Sequence, residues 1–136
     1  MLSLKWLVSP VLLSGAILLG SVGNAIAQYG WIELGRQDNL VFQLNPDVTR
    51  SGSSNSVVAY ELYLTAPQET NGVRSIRMQL LARCNSKQQI LSRIERFNDK
   101  GLSVGSDDYD VSHNEDWETP KSDLYGKAFN LVCNSR

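Results

Sequence analysis

His113 is the single histidine of the chain and stands in the polar run Ser112-His113-Asn114-Glu115-Asp116. A Ser-His-Asp triad would have to use it. No G-x-S-x-G nucleophile elbow is expected in the mature chain. Among polar neighbours His113 reads as a solvated loop residue rather than a catalytic base. Carboxylates are the next candidates. Asp107-Asp108-Tyr109-Asp110 and Glu115-Asp116 supply the group type that cleaves glycosides when two acids face each other across a cleft. Adjacent acids on a loop more often just face water. Hard cations also want clustered oxygens, but neither the glycine nor the trailing glutamate of an EF-hand stands at the required spacing. No catalytic residue, metal ligand set or cofactor is therefore expected.

Guanidinium groups carry the remaining chemistry. Arg74, Arg77, Arg83, Arg93 and Arg96 fall on two consecutive predicted strands. Arg77, Arg83 and Arg93, beside Tyr63, are expected to share the outer sheet face as a candidate binding patch. Guanidinium forks pair with carboxylates and sulfates, so a protein partner or an acidic polymer fits such a patch. The competing reading is a solvated face whose charges deter aggregation. Trp31 and Trp117 read as core residues closing the two ends of a small core, with the indole N–H satisfied at the rim.

Cys84 and Cys133 are the only cysteines. In an exported chain such a pair suggests one structural disulfide. A reactive or metal-binding thiol pair is the alternative, although the C-x-x-C spacing of those sites is missing. Export is read from residues 1–27. Lys5 supplies a positive start, Leu7 to Gly20 an apolar stretch, and Ala25-Ile26-Ala27 the small residues a signal peptidase reads. Cleavage is expected before Gln28, and the apolar stretch is short for a bilayer span, which takes about 20 residues. No second apolar run follows, so no transmembrane segment is expected after cleavage.

The predicted mature chain, residues 28–136, suits one domain. Without Lys5 it holds 12 basic against 14 acidic residues, a net charge of −2. That balance argues against nucleic acid, whose binding depends on clustered Lys and Arg.

The elements that must position these groups follow from periodicity. Tyr29–Leu34 is β-prone and is expected to stop at Gly35. Leu40–Leu44 alternates and ends at Asn45-Pro46-Asp47, a strong turn signal. Arg50–Ser56 reads as an exposed loop. Val57–Thr65 is the clearest strand, with Val58, Tyr60, Leu62 and Leu64 on one face. Pro67–Gly72 should connect it to Val73–Cys84, where Ile76, Met78, Leu80 and Ala82 oppose Arg77, Gln79, Leu81 and Arg83. Lys87–Phe97 and a weak strand within Leu102–Val111 complete the set. The period then changes. Thr119 is expected to cap a helix with Pro120 in its first turn. Leu124, Tyr125, Ala128, Phe129, Leu131 and Val132 should form its buried side. The expected class is α+β: an antiparallel sheet of about five to six strands against one C-terminal helix, with one disulfide.

Trp31, the run Asn45 to Arg50, the strand Val57 to Tyr63, Arg74-Ser75-Ile76-Arg77, Cys84, Phe97, Gly101, Trp117, Pro120-Lys121-Ser122 and Val132-Cys133 together resemble the surface-adhesin protein E family of bacterial envelope proteins. The resemblance covers nearly all of residues 28–136. It implies a small antiparallel sheet, a C-terminal helix and one disulfide joining them. Family adhesins can carry a lipid on an N-terminal cysteine; Gln28 holds that place here, so no lipid anchor is expected. Phe97 stands where the family pattern has a tyrosine. The expected function is an exported, non-enzymatic, adhesin-like binding module of the envelope, periplasmic or at the cell surface. The alternatives are a small subunit or assembly factor of an envelope complex, and a weak hydrolase or enzyme inhibitor acting through the acidic loop.

Overall fold

The computed structural model describes residues 30–53 and 56–134. The expected signal at residues 1–27 lies outside the described residues. Seven strands form one antiparallel sheet: β1 Ile32–Gln37, β2 Leu40–Leu44, β3 Thr49–Ser51, β4 Val57–Thr70, β5 Val73–Arg83, β6 Gln88–Phe97 and β7 Ser103–Asp108. Across the sheet the order is β1-β2-β4-β5-β6-β7, and β3 pairs with β4 beyond the end of β2. A single turn of 3-10 helix at Asn114–Asp116 precedes helix α1, Leu124–Asn134. The α+β class, the antiparallel sheet and the lone C-terminal helix agree with the periodicity.

Two-residue alternation decides which side chains meet. Val58, Tyr60, Leu62 and Leu64 of β4 lie opposite Ala82, Leu80, Met78 and Ile76 of β5. Phe42 and Leu44 of β2 join them across Leu64 and Leu62. Val58 and Leu62 are fully buried, and each such side chain contributes about 1.5–3 kcal/mol through apolar burial. Tyr60 sits in the same layer and keeps its hydroxyl satisfied by donating to Gln89 Oε1 at 2.7 Å. Burial pushes its phenol well above the usual tyrosine range.

Helix α1 covers this layer with Ala128, Phe129 and Val132. Tyr125 meets Phe42 edge-on, ring centroids 5.0 Å apart. An 11-residue helix is marginal alone, so anchors matter. The Cys84–Cys133 disulfide ties its last turn to the end of β5. Arg50 Nη2 donates to the Val132 carbonyl at 3.0 Å, and Lys127 Nζ to the Leu34 carbonyl at 3.0 Å.

Several expectations are corrected. β1 does not stop at Gly35 but runs to Gln37; its register shifts between Glu33 and Gly35, which leaves Leu34 as the extra residue of a bulge and pairs Gly35 with Phe42. The Arg50–Ser56 loop gives its first two residues to β3, because β2 leaves the Val57–Ala59 edge of β4 open for pairing. This short strand raises the count from six to seven. β4 extends to Thr70, so the connection to β5 is the tight pair Asn71-Gly72, with φ of 53° and 81°. Those angles suit the mirror-image hairpin turn that matches strand twist.

Thr119 does not cap the helix. Glu118 is held in a bridge with Gln89, and the helix begins only at Leu124. Asp123 caps instead: its Oδ1 accepts from the N–H of Tyr125 at 3.0 Å and of Gly126 at 3.3 Å. Gln37 Oε1 accepts the Leu124 N–H. Gly126 packs its bare Cα against the Lys121 carbonyl, where an added Cβ would stand 1.9 Å from the oxygen. Leu131 was expected on the buried side but is 42% exposed, since the stripe facing the sheet centres on Ala128, Phe129 and Val132.

Candidate functional site on the outer sheet face

The helix takes one face of the sheet, and the expected patch lies on the other. β5 fixes Arg77, Gln79, Leu81 and Arg83 on that outer face by alternation. Arg77 stands between Tyr63 on β4 and Glu95 on β6; Gln79 stands between Glu61 and Arg93. Arg93 joins them for a reason alternation alone does not give. The β5–β6 register shifts between Gln79 and Leu80, so one extra residue, Ser92, is inserted opposite the junction. Its hydroxyl donates to the Gln79 carbonyl at 3.0 Å. This bulge turns Arg93 and Ile90, three residues apart, toward the same side.

Arg77, Arg83, Arg93 and Tyr63 therefore share one face, but the arginines do not form a bare basic patch. Arg77 donates through Nε at 3.1 Å and Nη2 at 2.9 Å to Glu61 Oε2. Glu61 Oε1 also accepts from Asn45 Nδ2, so one carboxylate links the turn after β2 with β4 and β5. Arg93 pairs with Asp108 Oδ1 at 2.9 Å. Arg83 lies over the Trp117 ring, 3.7 Å from its centroid, and donates to Asn114 Oδ1 at 3.1 Å. Glu61, Glu95 and Asp108 balance the three guanidinium charges. The result is a half-exposed lattice of alternating sign.

Tyr63 belongs to an aromatic row on the same face. Trp31 meets it edge-on at 5.9 Å and Phe97 lies tilted at 6.2 Å. Its hydroxyl and Ser75 Oγ are 2.7 Å apart. Burial raises the Tyr63 phenol, while the Ser75 hydrogen bond and the Arg77 and Arg74 charges act against that rise. Next to Ser75 in register, Thr65 Oγ1 is buried with no hydrogen-bond partner among the described residues. Trp117 is buried, as expected, and its indole N–H donates to the Val111 carbonyl at 3.1 Å.

Tyr63 and the face of Gln79 were expected; the part played by Glu61 and Ser75, and the joining of Tyr63 to Trp31 and Phe97 in one row, were not. Parity along β4 and β5 was enough to find Glu61 and Ser75. The partners on β1 and β6 depend on register across strands, which no local pattern carries.

The acidic segment does not gather. Asp107 and Asp108 face opposite sides of β7, one paired with Arg96 at 2.7 Å and the other with Arg93. Asp110 turns back on Ser112, whose hydroxyl and N–H both donate to it and hold its carboxyl below the usual range. His113 is exposed, 3.2 Å from Asp110 and 3.9 Å from Glu115. Among the described residues no three His, Cys, Asp or Glu side chains converge as a metal group.

One sequence expectation needs correction. Gly101-Leu102-Ser103-Val104-Gly105 does have the G-x-S-x-G spacing. It lies at the β6–β7 hairpin, with Ser103 opening a strand opposite Phe97, whereas a nucleophile elbow joins a strand to a helix. Ser103 also sits at the Ser75 end of the sheet, while Asn114, beside His113, reaches Arg83. The eight steps from Ser75 to Arg83 along an extended strand span roughly 26 Å.

No model of a protein family matches the chain, and no curated protein and no solved structure is found to match it.

Proposed function

We propose that the chain is an exported, non-enzymatic binding module of the bacterial envelope, adhesin-like, that engages a protein partner through its outer sheet face. The observation that carries this reading is the lattice around Tyr63, Arg77 and Arg93 on the face opposite the helix. It offers half-exposed aromatic edges and guanidinium forks on rigid strands, the group types enriched where proteins meet. Each arginine is already matched by a carboxylate or a ring. That balance favours a partner with a mixed polar surface over a uniformly acidic polymer, which gains most from unneutralised charge. The export signal and the resemblance to surface-adhesin protein E support the address and the class.

The test is capture of envelope proteins on immobilised residues 28–136, against an Arg77→Ala/Arg93→Ala variant. Arg83 stays intact, because removing it uncovers Trp117. Wild type is expected to retain a discrete protein that the variant loses, with both melting within a few degrees of each other, since exposed ion pairs contribute about 0–1 kcal/mol. Equal retention by the variant refutes the assigned face. A partner co-purifying at fixed stoichiometry from native membranes assigns the chain as a subunit of a complex instead.

A further inference from the structure

The helix does not cover the whole inner face. Beyond its first turn, toward β6 and β7, lies a cleft of about 780 Å³, within the size range of small-molecule sites. Met78, Leu80 and Leu91 from β5 and β6 form part of its floor. Met78 and Leu91 are only partly buried, although they continue the apolar layer that the helix covers elsewhere. Two tyrosines flank it: Tyr125 from the helix and Tyr109 just past β7, the latter 45% exposed.

The rim is predominantly acidic. Asp38, Asp110, Asp116, Glu118 and Asp123 line the cleft, against Lys121 as its single base. These acids come from four separate stretches: the β1–β2 turn, the segment after β7, the short 3-10 turn and the lead into α1. The convergence is thus made by the fold, not by a local acidic run. It also contrasts with the outer face, where charges alternate and cancel. An apolar floor, two aromatic rings and a net negative rim are complementary to a positive charge joined to an apolar body.

We propose that this cleft binds a small amphipathic organic cation, with its alkyl or aryl body on the Met78–Leu80–Leu91 floor and its ammonium head between the tyrosines and the acidic rim. The site is separate from the outer face, so either assignment can fail without the other.

The experiment uses residues 28–136 and trimethylammonium compounds with hexyl, octyl and decyl chains, below micelle-forming concentrations. Met78 is the only methionine after Met1, so its methyl resonance is a single reporter on the floor. Titration is expected to shift that resonance, with affinity rising up to about fourfold for each methylene that becomes buried. Asp110→Asn/Asp116→Asn/Glu118→Gln leaves the Asp123 cap intact and is expected to weaken octyltrimethylammonium about tenfold, three partly screened charges acting together. Octyl sulfate of the same length is expected not to compete. The inference is overturned if octyl sulfate shifts Met78 as strongly, if tetramethylammonium binds as tightly as the octyl compound, if the triple variant binds unchanged, or if no shift appears by 5 mM. Should the triple variant fail to fold, the sulfate and tetramethylammonium comparisons on wild type decide.

Discussion

Gly126→Ala is the substitution whose sign the structure reverses. In an exposed helix interior, alanine is better than glycine by about 1 kcal/mol, because glycine loses more backbone freedom on folding. Gly126 is buried in the first turn of α1, with helical backbone and its N–H on the Asp123 cap. An added Cβ meets the Lys121 carbonyl oxygen at 1.9 Å and its carbon at 3.0 Å. Optimal non-bonded contacts lie near 3.5 Å or more, so the oxygen must retreat by well over an ångström. That oxygen is backbone. Its segment is held between the Gln89–Glu118 bridge and the Asp123 cap, so moving it disturbs both. Because the displaced atoms are backbone, the cost belongs to the upper part of the range for overpacking, about 2–3 kcal/mol. After the propensity gain, the expected net loss is about 1–2 kcal/mol, or roughly 4–8 °C in Tm for a domain near 100 residues. Thermal melts of the oxidised 28–136 protein by circular dichroism measure it. Asn130→Ala, at an exposed position on the same helix, is the control and should melt at or slightly above wild type. Hydrogen exchange at residues 124–127 should quicken in the Gly126 variant alone. If Gly126→Ala melts at or above wild type, the close approach of Lys121 does not constrain the helix and the reasoning fails.

The remaining predictions concern the staple, the buried phenols and one orphaned hydroxyl. Cys133→Ser opens a bridge between residues 49 apart, and in the chain-entropy account loses up to about 4 kcal/mol. Amide exchange should show α1 loosening before the β4–β5 pair, and simultaneous loosening of both would contradict the helix as the weaker unit. Alkaline pH should destabilise the fold. Burial raises the phenols of Tyr60, Tyr63 and Tyr125 in the native state, so this stability is full below the ordinary value near 10 and is lost as pH rises toward the native values. Tyr60 alone gives a slope of about 1.4 kcal/mol per pH unit above 10. Urea midpoints at pH 8 and pH 11 check it, and Tyr60→Phe should reduce the drop between them. Thr65→Val removes a buried hydroxyl that has no partner among the described residues while keeping its shape, and should stabilise by about 1 kcal/mol; a lower urea midpoint means the hydroxyl has a partner after all.

The inner layer was legible because it repeats. Val58 to Leu64 and Ile76 to Ala82 alternate with period two, and a strand with one buried face must obey that period. The side of Arg77 and Arg83 followed from the same parity, and the Cys84–Cys133 pairing from there being two thiols in a chain read as exported. Helix α1 showed in its change of period, but its start did not. Thr119-Pro120 has the right local chemistry for a cap, yet Glu118 is drawn into a bridge with Gln89, and a cap forms only where the chain is free to turn. Arg93 reached the outer face through a bulge at Ser92, and a bulge depends on what the neighbouring strand can accept. Charge balance around the arginines was equally invisible, because Glu61 and Asp108 stand 16 and 15 residues from their partners. The acidic rim of the inner cleft joins residues as distant as Asp38 and Asp123. Local periodicity determined faces and elements, because backbone geometry repeats within a strand or helix. Register, bulges and the meeting of distant charges were decided only when the sheet closed, because those depend on pairing energies between segments that the chain order does not bring together.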